Sequence, residues 1–235
     1  MRVVVTGATG NLGHATVEAL SAAPEVTAIV GLARRRPSAR WRPPKSTFAV
    51  ADITADDLGR HFAGADAVIH FAWAIQPSHD EAARWRTNVV GSQRVFEAAA
   101  EAGVGVLVHA SSIGAYSPGP KVPVDEGWPT HGVPTSSYSR QKAYCERLLD
   151  DLEHAHPELR VVRMRPALVL QADVASEIAR LFLGPLVPRT LLGRRLVGLS
   201  PVTDRLCFQV VGSADVGRAF AAAVTADDAR GAYNI

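Results

Sequence analysis

Ser112, Tyr138 and Lys142 are the residues of this chain whose types and spacing suit proton-transfer chemistry. Tyr138 and Lys142 stand at i and i+4 in the run YSRQK, so on a helix both project from one face. An ammonium near a phenol favours the phenolate and would draw its pKa down from about 10 toward a working range. Tyr138 could then exchange a proton with a substrate oxygen. Ser112, in HASSIGAY at 109–116, could hold that same oxygen and help stabilise developing negative charge. A Tyr-x-x-x-Lys run is common by chance. It becomes specific here because Tyr138 follows a serine-bearing strand end by 26 residues (112 to 138) and a glycine-rich turn opens the chain.

That turn is TGATGNLG at 6–13. Val3, Val4 and Val5 before it are a β-branched run suited to a central parallel strand, and a helix is expected from about Leu12 to Ala22. Gly7, Gly10 and Gly13 have separate jobs: a tight turn, backbone approach to a pyrophosphate, and close packing of helix on strand. Thr9, Asn11 and Leu12 are expected to join them at a dinucleotide, because the first-turn N–H groups favour an anion. The spacing is G-x-x-G-x-x-G rather than G-x-G-x-x-G, and an ordinary Gly-rich βα turn is the competing reading. Roughly 20 residues further on, an acid at the end of the second strand would bind both ribose hydroxyls and select NAD. This chain instead has Ala33 followed by Arg34, Arg35 and Arg36, which offer room and guanidinium forks for a 2′-phosphate. NADP is therefore the expected cofactor and NAD the alternative; a solvated basic loop is the reading without a ligand. Asp52-Ile53 follows the third strand, where Asp52 could accept from the adenine amino group, open a turn, or make a helix cap with Thr54. Phe71, Ala72 and Trp73, in HFAW at 70–73, fall at the carboxyl end of the fourth strand, where ligands bind in open α/β sheets. His70 reads as a strand-end residue rather than a ligand.

Elements able to position these residues alternate along the chain. Strands are expected at 3–6, 27–32, 47–50, 67–71, 106–110 and 160–164, and helices at 12–22, 82–102 and 139–154. Such alternation implies an α/β fold, a Rossmann-type doubly wound parallel sheet covered by helices on both faces. Residues 1–167 read as the dinucleotide-binding domain that carries the catalytic residues. Residues 168–235 read as segments of a small, incomplete substrate lobe interleaved with late Rossmann elements: a helix from Asp215 to Ala223 and a strand at Tyr233-Asn234-Ile235. Between them, Leu181, Phe182, Leu183, Leu186 and Leu191 suit either an apolar substrate wall or core. With 235 residues, 47% hydrophobic and 20% charged, one large soluble domain is expected. A net charge of +2 gives no field that favours nucleic acid or a membrane. No apolar run approaches the ~20 residues that span a bilayer, and no signal peptide fits. Cys145 and Cys207 offer neither a disulfide framework nor metal-ligand spacing, so a reducing, cytoplasmic setting without a metal is expected.

Taken together, these motifs resemble the extended short-chain dehydrogenases/reductases, a group that includes nucleotide-sugar epimerases, dehydratases and reductases. TGATGNLG, Asp52-Ile53, HFAW, Asn88-Val89-Val90-Gly91, SSIGAY, YSRQK, Arg165-Pro166, Asp215-Val216 and Tyr233-Asn234-Ile235 match its landmarks in order. The resemblance selects Ser112 over Ser111 as the catalytic serine, makes Tyr138 the acid/base and Tyr116 a structural aromatic, and gives Lys142 the nicotinamide ribose. It also implies that Asn88 supports the site through backbone and water contacts, that Ala110, Pro166 and Leu168 border the cofactor, and that a homodimer forms through helices near 82–102 and 139–154. Ser112-Ile113-Gly114 replaces the Thr-Asp-Glu run of sugar 4,6-dehydratases, which removes the acid and base for water elimination. Ala167-Leu168-Val169 replaces a Tyr-Gly-Pro turn beside the substrate lobe. The expected activity is NADP-linked hydride transfer on a small carbonyl or alcohol substrate. A nucleotide-sugar epimerase and a non-catalytic dinucleotide sensor are the alternatives.

Overall fold

The three-valine run lies at the centre of the molecule. In the computed structural model, which describes residues 1–75, 80–120, 122–170 and 209–235, Val3, Val4 and Val5 have no solvent exposure. They belong to β1 (Arg2–Thr6), which leads through the glycine turn into α1 (Asn11–Ala22). The chain continues through β2 (Ala28–Ala33), β3 (Ser46–Val50), α2 (Gly59–Phe62) and β4 (Ala67–His70). Next come α3 (Glu81–Trp85), a π-helical turn (Arg86–Val90), α4 (Gly91–Glu101) and β5 (Val106–Ala110). A 3₁₀ turn (Ile113–Ala115) precedes α5 (Ser137–Ala155) and β6 (Arg160–Arg165). Then follow β7 (Leu168–Leu170), β8 (Val210–Gly212), α6 (Ser213–Thr225) and β9 (Gly231–Asn234).

Seven strands form one sheet in the order β3-β2-β1-β4-β5-β6-β9, and every neighbouring pair is parallel. Alternate side chains of each strand face opposite sides. Val3, Val5, Ile69, Val108 and Val162 therefore join α1 and α6 in one apolar layer, with Leu20 and Phe220 filling it. Val4, Val68, Leu107 and Val161 join α4 and α5 in the other, with Phe96 and Leu149. The strand order reverses between β1 and β4, which opens a crevice at their carboxyl ends. The expected doubly wound Rossmann sheet is thus observed.

One feature departs from the sequence reading. The single helix expected over 82–102 starts at Glu81 and is interrupted by the wider turn at Arg86–Val90, which carries Asn88. Late in the chain, α6 and β9 are Rossmann elements, and β7 pairs with β8 in a separate two-stranded sheet. The apolar group at Leu181, Phe182, Leu183, Leu186 and Leu191, and Cys207, lie outside the described residues. No helix among the described residues is long and apolar enough to cross a membrane.

Candidate active site

Gly7 starts the turn after β1 with φ +71, donating its N–H to the Leu32 carbonyl at 2.8 Å. A Cβ there would meet the Ala72 nitrogen at 2.6 Å, and one on Gly13 would meet the Gly7 carbonyl oxygen at 2.4 Å. Both positions require glycine, one for turn and backbone approach, the other for helix packing. Gly10 is the N-cap of α1, has no side-chain cap, and no acid occupies the first helical turn. Thr9, Gly10 and Asn11 are exposed and Leu12 is half-buried, so this turn is open to solvent. Uncapped amides beside glycines that hold adjacent backbone this close fit the pyrophosphate of a dinucleotide.

At the ends of β2 and β3, Ala33 is half-buried while Arg34, Arg35 and Arg36 are exposed. Asp52 uses Oδ1 to accept from Thr54 N at 2.8 Å and Thr54 Oγ1 at 2.7 Å, so it closes a turn. Those two hydrogen bonds, with help from the Arg34 and Arg94 guanidiniums, hold its carboxyl below the usual range. Ile53, which follows Asp52, is buried in the α4 layer, and its carbonyl accepts from Arg94 Nη1 at 2.9 Å. Phe71 likewise packs its ring on Phe220, centroids 4.5 Å apart, leaving its backbone beside Gly7.

Ser112 and Tyr138 come together because two turns are tied to each other. Ser112 caps the 3₁₀ turn, its Oγ accepting from Gly114 N at 3.0 Å. Ser136 caps α5, and Ser139 in its first turn donates to the Gly114 carbonyl at 2.5 Å while accepting from Val133 N at 2.6 Å. The Tyr138 ring lies so close to Gly114 that an added Cβ would stand 3.1 Å from its Cε1. Burial raises the Tyr138 pKa above its ordinary value, partly opposed by a hydrogen bond from Ser112. The expectation that Lys142 tunes this phenol is not met. The Lys142 ammonium is buried, donates to the Ala110 carbonyl at 2.6 Å, and stands 3.4 Å from the centre of the Trp73 ring. Its distance to the Tyr138 ring centre is 5.9 Å.

Asn88 contributes through its carboxamide: Oδ1 accepts from Ala74 N at 2.6 Å, and Nδ2 donates to Ala74 O at 3.1 Å and Gln141 Oε1 at 2.8 Å. Ser111 points away from Ser112 and donates to Glu146 Oε1 at 2.5 Å. Glu146 is fully buried and paired with Arg165 through two bonds, 2.9 and 2.6 Å, while Arg165 Nη1 donates to the Tyr116 hydroxyl at 2.9 Å. Tyr116 in turn donates to Asn234 Oδ1 at 2.7 Å, so the network ties the serine loop to β6 and β9. Burial raises the Glu146 pKa, but Arg165 and Ser111 outweigh it and hold it low. Pro166 is buried, its carbonyl accepting from Ile113 N at 3.3 Å, and Leu168 starts β7. His70 ends β4 in the core, bonded to Thr6 Oγ1 and Ser92 Oγ at 2.6 and 2.8 Å. Gln141, Ser139 and Glu146 were not singled out from sequence; each carries a polar group on the inner face of an otherwise amphipathic helix, which is the signal available for them.

Residues 3–235 match the NAD dependent epimerase/dehydratase family. The chain belongs to that family. A UDP-glucose 4-epimerase from Yersinia pestis is 31% identical over 177 residues, covering 70% of this chain and 52% of the relative. A 4-hydroxy-2-methyl-3-oxo-4-farnesyl-3,4-dihydroquinoline-1-oxide ketoreductase from Stigmatella aurantiaca is 29% identical over 184 residues, covering 77% of this chain and 54% of the relative. The chain thus spans about half the length of these family members. Among solved structures, a short-chain dehydrogenase/reductase superfamily protein from Agrobacterium tumefaciens with bound NAD has a TM-score of 0.79 at 22% identity. That likeness covers all of this chain and 77% of the other, and it bears on the fold.

Proposed function

We propose that this family member is an NADP-linked oxidoreductase that interconverts a carbonyl and an alcohol. The observation that carries the reading is the end of β2, where half-buried Ala33 leaves room and the exposed Arg34, Arg35 and Arg36 offer guanidiniums to a 2′-phosphate. The bound dinucleotide would supply the hydride. Ser112 holds the substrate oxygen, and Tyr138 gives it a proton as negative charge develops there. A phenol whose pKa is raised by burial keeps its proton at neutral pH, which suits donation in the reducing direction. The first-turn amides of α1 hold the pyrophosphate, and Arg34 and Arg35 select the phosphorylated ribose.

A second reading, nucleotide-sugar epimerase, is favoured by the identity to UDP-glucose 4-epimerase. It uses the same Tyr138 and Ser112 but retains the cofactor between two half-reactions. Measuring NADPH and NADH consumption with a panel of ketones, alongside UDP-glucose epimerisation, separates the two. Ketone-dependent NADPH consumption is expected. Epimerisation without net cofactor turnover would favour the second reading, and tight NADPH binding with neither activity would favour a sensor. A second copy of this chain is the proposed partner: Trp85, Val90 and Tyr144 are 41%, 40% and 46% exposed on α3, the π turn and α5. The rings of Trp85 and Tyr144 already meet at 5.1 Å.

A further inference from the structure

Lys142 rests between a carbonyl oxygen and an aromatic face. The Ala110 carbonyl accepts from its ammonium on one side, and the indole of Trp73 covers it at 3.4 Å from the ring centre. The same indole meets the Tyr138 ring edge-on, centroids 6.0 Å apart at 78°. Trp73 lies on the loop after β4, yet its position is held. Asn88 clamps both backbone groups of the adjoining Ala74, and the same carboxamide reaches Gln141, the residue before Lys142. The contacts close a circuit: Lys142 to Trp73, along the chain to Ala74, across to Asn88, and back to α5 through Gln141.

We infer that Trp73 is a positioning residue for Lys142 beside Tyr138, its π face fixing the ammonium in place and in its charged form, with Asn88 holding the indole there. The surroundings explain why an aromatic face matters. From α5, Cys145 and Glu146 face the lysine, the first a buried thiol with its pKa pushed up to about 11, the second already paired with Arg165. Tyr138 on the same helix keeps its proton. From β4 and β5 come His70 and His109, whose charged forms burial and Lys142 itself disfavour; Arg163, on β6, bears on His109. Burial draws Lys142 down to about 7, so its charge at neutral pH is finely balanced. A cation over an indole face is stabilised relative to the neutral amine, which opposes that shift.

The part this plays in turnover rests on the function proposed above, but the charge state can be read without turnover. The chain has three lysines, Lys45, Lys121 and Lys142. Isotopic labelling of lysine, with Lys142→Met for assignment, allows its titration to be followed by NMR in the ligand-free protein. Trp73→Leu should lower the Lys142 titration by about half a unit to one and a half units. Trp73→Phe, which keeps a π face, should lie closer to wild type, and Asn88→Ala should shift the titration down with the indole still present. An unchanged or raised titration in Trp73→Leu, or Phe falling as far as Leu, would overturn the inference. If Trp73→Leu does not fold, Asn88→Ala decides: no downward shift rejects the idea. A protein that reduces no carbonyl would refute the proposed function, whereas the NMR result would still decide the role of Trp73.

Discussion

Arg34 and Arg35 follow the end of β2, where the proposed function puts the 2′-phosphate of NADP. Replacing both with alanine should weaken NADPH by roughly 10- to 100-fold, the size of one or two charge-assisted hydrogen bonds. NADH should weaken by about threefold or less. Fluorescence titration with both nucleotides checks this; equal losses would mean the arginines only decorate a loop. At this scale the sequence was informative about atoms that a motif carries. Ser112, Tyr138 and the turn glycines were legible because their chemistry restricts residue type and spacing. The direction of Lys142 was not, because its contact with Trp73 joins residues 69 positions apart (73 to 142) through space. Glu146 was hidden for the same reason: its partner Arg165 becomes visible only when α5 lies against β6.

His70 and His109 join β4 to β5 through stacked rings, centroids 5.4 Å apart, with Phe96 of α4 edge-on to both. Both are buried and held neutral: His70 is lowered to about 3, and His109 lies well below its ordinary value. The unfolded chain titrates near 6.5, so below that pH it takes up protons the folded chain refuses. Stability should therefore be complete above about pH 6.5 and fall as pH drops, by up to about 1.4 kcal/mol per pH unit for each histidine. For His70 the loss continues down to about pH 3. Urea unfolding between about pH 7 and pH 5 should show this slope, and His109→Phe should remove about half of it. Stability that is flat across the interval would contradict the buried neutral pair. Element positions were largely legible, since β-branched runs and glycines mark strand ends. The π turn at Arg86–Val90 was not, because one extra residue in a helical turn barely disturbs an apolar periodicity, although it brings Asn88 to Ala74.

Across the whole molecule, seven parallel strands bring the site residues toward their carboxyl ends, where the strand order reverses between the paired β1 and β4. The doubly wound sheet was legible from alternation alone. The helix expected at Asp215–Ala223 and the strand at Tyr233-Asn234-Ile235 are seen as α6 and β9, within two residues of those bounds. The exposed Trp85, Val90 and Tyr144 lead to a further expectation at this scale. A two-fold dimer should bury them, and Trp85→Glu with Tyr144→Glu should yield a monomer by light scattering. A wild-type chain that is monomeric at micromolar concentration would exclude it. Proton donation by Tyr138 to a carbonyl reduced from NADPH can be checked by comparing wild type and Tyr138→Phe on one ketone substrate. The variant should bind NADPH within about twofold of wild type but turn over roughly 10²- to 10⁴-fold more slowly, the contribution of a positioned proton donor. Unchanged NADPH oxidation in Tyr138→Phe would contradict it.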